Sequence, residues 1–142
     1  MLSVILTGGG SRRMGRDKAA LPWAGSTMLQ SLIDRYATSL GPVAVSVNKA
    51  GRFAFSGAAE LVDRYPDMGP LNGILSAFDQ SGEDLVFLTA TDLPFGDPAL
   101  VRRLEELMGE ADACVMRRGV KGIEPLFALY HRRCYDNIPI DR

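Results

Sequence analysis

Residues 3–21 read SVILTGGGSRRMGRDKAAL, and this stretch decides the fold prediction. Its first part is an apolar run that is typical of a short buried strand. After that run come the glycines Gly8, Gly9 and Gly10, and then the cations Arg12, Arg13, Arg16 and Lys18. Glycine lets backbone N–H groups approach an anion closely, and nearby arginine or lysine neutralises phosphate charge. The stretch therefore predicts a binding site for a nucleoside triphosphate.

Two familiar phosphate loops are excluded by the same residues. The spacing of residues 10–15 fits a P-loop, but Arg16 and Asp17 stand where that motif needs lysine and serine or threonine. The dinucleotide fingerprint G-x-G-x-x-G fails because Arg13 occupies its third glycine position. Taken by themselves, the glycines are equally consistent with a plain turn beside a solvated basic face.

Composition narrows the class of protein. A chain of 142 residues is sized for one domain, here residues 1–142. The formal net charge of −1 argues against general nucleic-acid binding. No apolar run approaches the ~20 residues that a membrane span needs. Cys114 and Cys134 are too few for a disulfide framework, so we expect a reducing, cytoplasmic location.

Apolar periodicity and turn residues predict alternating strands and helices. The predicted strands are residues 3–6, 43–47, 61–62, 85–89, 113–116 and 126–130, the last a candidate for antiparallel pairing. The predicted helices are residues 27–39 with Ser26 as cap, 70–80, 98–108 with Asp97 as cap, and 132–137. The order strand–helix–strand implies parallel pairing with right-handed crossovers. We therefore predict one α/β domain with a doubly wound, mostly parallel sheet and helices on both faces.

Polar residues follow the predicted parallel strands, where such sheets bind ligands. The residues at the four strand ends are Leu6 and Thr7 at the first, Asn48 at the second, Asp63 at the third and Asp92 at the fourth. Asp92 is the strongest candidate, because Mg²⁺ takes one or two protein carboxylates and completes its shell with water and phosphate oxygens. A turn-capping role is the alternative for Asp92, and ordinary turn formation is the alternative for Asn48 and Asp63.

The pattern over residues 6–18, L-x-G-G-x-S-x-R-M-G-x-D-K, resembles the signature of nucleotidyltransferases with a GT-A-like, Rossmann-type domain. Asp17-Lys18 is similar to the MobA family, the molybdenum cofactor guanylyltransferases. The resemblance extends to about residue 135 and includes Thr91-Asp92-Leu93-Pro94-Phe95, similar to the family's metal-binding segment, with Ala90-Thr91 in place of the usual Pro-Cys. Relatives continue with a further strand and helix that this sequence lacks.

The resemblance implies a function and a set of site residues. The implied reaction is Mg²⁺-dependent transfer of GMP from GTP onto the terminal phosphate of molybdopterin, with release of pyrophosphate. The implied catalytic residues are Arg13, Lys18 and Asp92, with Asp92 as the metal ligand. The implied GTP-binding residues are Leu6, Thr7, Gly8, Gly9, Gly10, Lys18, Asn48, Asp63 and Asp92.

The partners implied by this resemblance are GTP, molybdopterin as acceptor, and a molybdoenzyme or cofactor-delivery protein. No nucleic acid or membrane partner is expected. Three alternatives stay open at this stage. In the first, the protein is a transferase that uses CTP or another acceptor such as a sugar phosphate. In the second, it binds a nucleotide without turnover. In the third, its role is purely structural.

Overall fold

The computed structural model describes residues 1–7, 22–23 and 26–139. The strands of these residues are β1 Leu2–Leu6, β2 Pro22–Trp23, β3 Ser26–Thr27, β4 Val43–Val47, β5 Ala59–Val62, β6 Leu85–Ala90, β7 Ala113–Arg118 and β8 Gly122–His131. The α-helices are α1 Met28–Leu40, α2 Pro70–Gln80, α3 Pro98–Met108 and α4 Arg133–Asn137. None of the helices in this part of the chain is both long and apolar enough to cross a membrane.

Six strands form the main sheet in the order β5-β4-β1-β6-β8-β7. The first four run parallel, whereas β8 lies antiparallel to both β6 and β7. Strands β2 and β3 form a separate antiparallel pair. Because four neighbouring strands point the same way, their carboxyl ends meet at one edge of the sheet.

Helices cover both faces of the sheet. On one face, α1 and α3 pack against β1, β4, β6 and β8 through a core that includes Ile5, Tyr36, Phe87 and Leu104. On the other face, α2 packs against the same sheet through Val4, Phe78 and Leu88. Strands β1 and β6 are almost fully buried, which explains their uninterrupted apolar sequences. The predicted doubly wound, mostly parallel α/β fold is therefore confirmed.

Two local predictions need correction. The cap of α1 is Thr27 rather than Ser26, because the Thr27 hydroxyl accepts the Gln30 N–H at 3.1 Å. Strand β8 begins at Gly122, four residues before the predicted start. Its pairing with β7 jumps from Met116 opposite Glu124 to Val115 opposite Ala128, so residues 125–127 form a bulge. Such a bulge accommodates Pro125, which has no N–H for the ladder.

The turn that follows β6 is held tightly against α1. Arg35 Nη1 donates to the carbonyls of Pro94 at 2.6 Å and Gly96 at 3.0 Å. A Cβ atom at Gly96 would lie 2.3 Å from the Tyr36 hydroxyl and 2.6 Å from Phe127 Cε2. Glycine is thus required here by close packing, and the turn carries Asp92 in a fixed position relative to the sheet.

The substitution Gly96→Ala is expected to lower the free energy of unfolding by about 2 kcal/mol, because the added methyl overpacks a buried aromatic contact. Gly82→Ala is the matched control, since a Cβ there meets nothing within 4 Å. Chemical denaturation of the two variants and the wild type measures the difference. Equal stability of both variants would contradict this account of the turn.

Candidate active site

A cleft of about 320 Å³ opens at the carboxyl edge of the parallel strands. Its walls come from the ends of β1 and β6, from β4, from the residue after β5, and from the start of α2. The polar residues that line it are Ser46, Asp63, Asn72, Thr91 and Asp92. Leu6 and Leu126 contribute apolar surface. The cleft therefore combines carboxylate, hydroxyl and amide groups with a partly apolar wall, a composition that suits a small polar ligand.

A chain of hydrogen bonds joins three strand ends beneath the cleft. Thr7 Oγ1 donates to the Ser46 carbonyl at 2.6 Å, and Ser46 Oγ donates to Asp63 Oδ1 at 2.8 Å. The Asp63 N–H donates to the Val47 carbonyl at 2.8 Å. These bonds tie β1, β4 and the residue after β5 together. They also hold the Asp63 carboxylate in a set orientation at the rim of the cleft.

The start of α2 packs unusually close to the end of β1. A Cβ at Gly73 would lie 2.2 Å from Leu6 Cδ2, so a larger residue would push the Leu6 side chain aside. The helix begins after Gly69, whose φ of +58° suits glycine, and Pro70 takes the first helical position, where a missing N–H costs nothing. Glycine at position 73 therefore brings the amino end of the helix to the cleft.

The segment between Asp63 and α2 is bonded to one face of that helix. Asn72 Oδ1 accepts the Tyr65 N–H at 2.9 Å, and Ser76 Oγ accepts the Arg64 N–H at 3.0 Å. Further along the helix, the Tyr65 hydroxyl donates to the Asp79 carboxylate, which raises the pKa of Tyr65 because the bond favours the protonated phenol. Arg64 and Tyr65, the two residues that follow Asp63, are thus fixed against the helix.

Asp92 lies two residues after the end of β6 and lines two clefts. The backbone around it is ordered by bonds from the Thr91 N–H to the Leu6 carbonyl and from the Leu93 N–H to the Ala90 carbonyl. The second cleft, of about 290 Å³, is lined mainly by apolar residues that include Phe95, Met116 and Phe127. Asp92 lines both clefts and is exposed to solvent.

The donor groups of the cleft suit a divalent cation that takes few protein ligands. Within residues 1–7, 22–23 and 26–139, no cluster of three or more His, Cys, Asp or Glu side chains is present. Mg²⁺ does not need one, because it binds through one or two carboxylates together with water and substrate phosphates. An exposed Asp92 carboxylate at the edge of a ligand-sized cleft fits that mode of binding.

The structure brings together some of the residues predicted to form the site. Leu6, Asp63 and Asp92 line the cleft, as the strand-end argument expects. Thr7 is buried, and its hydroxyl donates to the Ser46 carbonyl of the neighbouring strand β4. Asn48 follows β4 but does not line the cleft; its Oδ1 accepts a bond from Arg52 Nη1 at 3.3 Å. The predicted residues Gly8, Gly9, Gly10, Arg13 and Lys18 lie outside the described residues.

Three polar residues of the cleft were not predicted from the sequence: Ser46, Asn72 and Thr91. Ser46 is a hydroxyl residue within the apolar strand β4, which is a weak signal for a buried polar role. Asn72 is buried in the otherwise apolar first half of α2. Both signals become clear only when the neighbouring strand and loop are known.

Comparison with known proteins places these observations in a family context. The family model described as MobA-like NTP transferase domain matches residues 3–139. The chain is 35% identical over 134 residues to a protein named "Probable molybdenum cofactor guanylyltransferase" from Carboxydothermus hydrogenoformans, covering 92% of this chain and 66% of that protein. It is 32% identical to "Molybdenum cofactor guanylyltransferase" from Sinorhizobium fredii, covering 96% of this chain and 66% of that protein.

A solved structure shares the fold. The molybdopterin-guanine dinucleotide biosynthesis protein A from Archaeoglobus fulgidus superposes with a TM-score of 0.79 at 22% identity, covering 96% of this chain and 70% of that one. The chain thus spans about two thirds of the length of the relatives that it matches.

Replacement of Ser46 by alanine tests the hydrogen-bond chain at the strand ends. Because Ser46 is buried and donates to Asp63, Ser46→Ala is expected to lower the free energy of unfolding by about 1 kcal/mol. Ser39→Ala, on the exposed side of α1, is the control and is expected to change it by less than about 0.5 kcal/mol. Urea denaturation measures both. A Ser46→Ala protein as stable as the control would show that the bond contributes nothing.

Proposed function

Because this chain belongs to the MobA-like NTP transferase domain family, we propose that it transfers GMP from GTP to the terminal phosphate of molybdopterin. The acceptor phosphate attacks the α-phosphorus of GTP, a new phosphoanhydride bond forms, and pyrophosphate leaves. The chain spans only part of the length of its curated relatives, so its activity, substrates and partners are part of this proposal.

The observation that carries the proposal is the position of Asp92 between two clefts of different character. Group transfer requires that donor and acceptor meet at one point, and correct placement alone supplies much of the rate enhancement. The polar cleft suits the nucleotide. The apolar cleft, with Phe95 and Phe127 in its lining, suits the ring system of a pterin acceptor. The bond that is broken would then lie beside Asp92.

Asp92 is proposed as the protein ligand of Mg²⁺. When bound, the ion would neutralise the negative charge that develops on the transferred phosphate. The transfer itself needs little proton chemistry from the protein. Arg13 and Lys18 are proposed to bind the phosphates, because guanidinium and ammonium groups form strong charge-assisted bonds with phosphate oxygens. Together these groups would hold the triphosphate chain in line with the acceptor.

Asp63 is proposed to bind the guanine base, whose N1–H and N2–H₂ groups are donors that suit a carboxylate. Ser46 already fixes one of its oxygens, and Oδ2 carries no hydrogen bond from the described residues. Leu6, Thr7 and Gly8, Gly9 and Gly10 are proposed to hold the guanosine through the backbone. Asn48, which follows β4 at the same edge of the sheet, is proposed as a further contact to the guanosine.

Equilibrium titration with GTP and with CTP, each with Mg²⁺ present, tests the choice of base. We expect GTP to bind at least about tenfold more tightly than CTP, because a site that hydrogen-bonds one base leaves its polar groups unpaired with another. Binding is measured by isothermal calorimetry, and the same titration with excess chelator measures the metal contribution. Tighter binding of CTP would overturn the assignment of guanine.

The substitution Asp92→Asn tests the metal assignment, because it keeps the shape of the side chain and removes its charge. Pyrophosphate release in the presence of GTP, Mg²⁺ and molybdopterin is expected to fall at least about hundredfold. Asp97→Asn is the matched control five residues away, since asparagine caps α3 as well as aspartate does. An Asp92→Asn protein that releases pyrophosphate at the wild-type rate would refute the role of this carboxylate.

A further inference from the structure

Asn72 is a buried residue at the amino end of α2, and its Nδ2 atom has no hydrogen-bond partner among the residues that the structure describes. The residue is 9% exposed and lines the polar cleft. Its Oδ1 accepts bonds from the Tyr65 N–H at 2.9 Å and from Ser76 Oγ at 3.0 Å. An amide N–H₂ group that has no hydrogen-bond partner among the described residues and borders a ligand-sized cleft can donate to a ligand there.

The orientation of this amide follows from its neighbours. A backbone N–H can only donate, so the atom of Asn72 that faces Tyr65 must be the oxygen. The Nδ2 group is therefore the other end of the amide, and it has no hydrogen-bond partner among the described residues. The amino end of α2 adds partial positive charge at the same place, because the first N–H groups of a helix point out of it. Both features favour an acceptor atom on the ligand.

Asp63, in the lining of the same cleft, restricts what that ligand can be. A carboxylate favours donors and repels phosphate, whose oxygens are acceptors and carry negative charge. A ligand that contacts both side chains must therefore offer an acceptor to Asn72 and donors to Asp63. The six-membered ring of guanine does so with a carbonyl oxygen, O6, next to N1–H and N2–H₂.

We propose that Asn72 is a specificity-determining residue whose Nδ2 donates a hydrogen bond to the O6 atom of guanine, while its Oδ1 holds the backbone of Tyr65. This inference rests on the proposed function, because it takes the cleft to be the nucleotide site. It assigns two tasks to one side chain. The oxygen shapes the segment that follows Asp63, and the nitrogen distinguishes guanine from bases that lack a carbonyl at that position.

The substitution Asn72→Asp separates the two tasks. Aspartate keeps acceptor oxygens for the Tyr65 N–H and for Ser76, but it replaces the N–H₂ donor by a second acceptor. Binding is measured with GTP, with 6-thio-GTP, whose sulfur is a poorer acceptor than O6, and with ITP, which keeps O6 and lacks only N2–H₂. Tyr65→Phe is the control variant, since it loosens the same segment at Asp79 and leaves Asn72 unchanged.

For the wild type we expect GTP to bind about tenfold more tightly than 6-thio-GTP, the effect of one hydrogen bond from the Asn72 amide. In Asn72→Asp this ratio is expected to fall to about one, whereas the ratio of GTP to ITP stays at its wild-type value. Tyr65→Phe is expected to keep both ratios. A merely structural Asn72 would weaken all three nucleotides alike and leave every ratio unchanged, and that result would overturn the inference.

Two further outcomes are decisive. If Asn72→Asp fails to fold, as judged by circular dichroism, Asn72→Ala replaces it with the same expected loss of the GTP to 6-thio-GTP ratio. A wild-type protein that binds GTP and 6-thio-GTP equally would overturn the inference without any variant. A wild-type protein that binds no GTP with Mg²⁺ present would instead overturn the proposed function, so the two failures are distinguishable.

Discussion

The rest of the structure depends on the parallel pairing of β1 with β4 on one side and β6 on the other. In this register Leu6 lies opposite both Ser46 and Ala90, so the three strands end at the same level. Asp63 and Asp92 follow the outer two strands of the four-stranded parallel group, and three interstrand steps of ~4.8 Å separate those strands, about 14 Å in all. That spacing is on the scale of a nucleotide, and it is set by backbone hydrogen bonds before any side chain contributes.

Most of the fold could be predicted because its signals are local. Strand β4 and helices α2 and α3 have the predicted bounds, since apolar periodicity, Pro70 and the capping Asp97 mark them within a few residues. The start of β8 could not be predicted in the same way. Its bulge at residues 125–127 breaks the alternation that identifies a strand, and only pairing with β7 shows that the strand continues to Gly122.

The residues of the candidate site can also be divided into those with a local sequence signal and those without one. The positions of Asp63 and Asp92 could be predicted, because a carboxylate one or two residues after a strand of a parallel sheet must lie near its carboxyl edge. The same rule selects Asn48, yet that residue does not line the cleft and bonds with Arg52 instead. Ser46 and Asn72 escaped prediction for the opposite reason. Their contacts are with Asp63, 17 residues from Ser46, and with Tyr65, 7 residues from Asn72, and no periodicity reports such contacts.

Asp63, which is proposed to bind the guanine base, is held in place from two sides. On the sheet side, Ser46 fixes one carboxylate oxygen. On the helix side, the residues that bond the next segment are Asn72, Ser76 and Asp79, whose spacing of four and three places them on one face of α2. The same Asp79 also accepts a bond from Tyr135 of α4, so a late part of the chain braces this face of the helix.

Such bracing has a consequence for binding energy. A carboxylate that must be ordered by its ligand loses part of the interaction energy to that ordering, whereas one held in advance does not. Discrimination between bases depends on hydrogen bonds worth about 1 kcal/mol each. A free-energy cost of similar size for ordering the carboxylate would cancel this discrimination between bases. In the proposed nucleotide site, the polar face of α2 would therefore support selectivity even where it touches no ligand, because it orders Asp63 before the ligand binds.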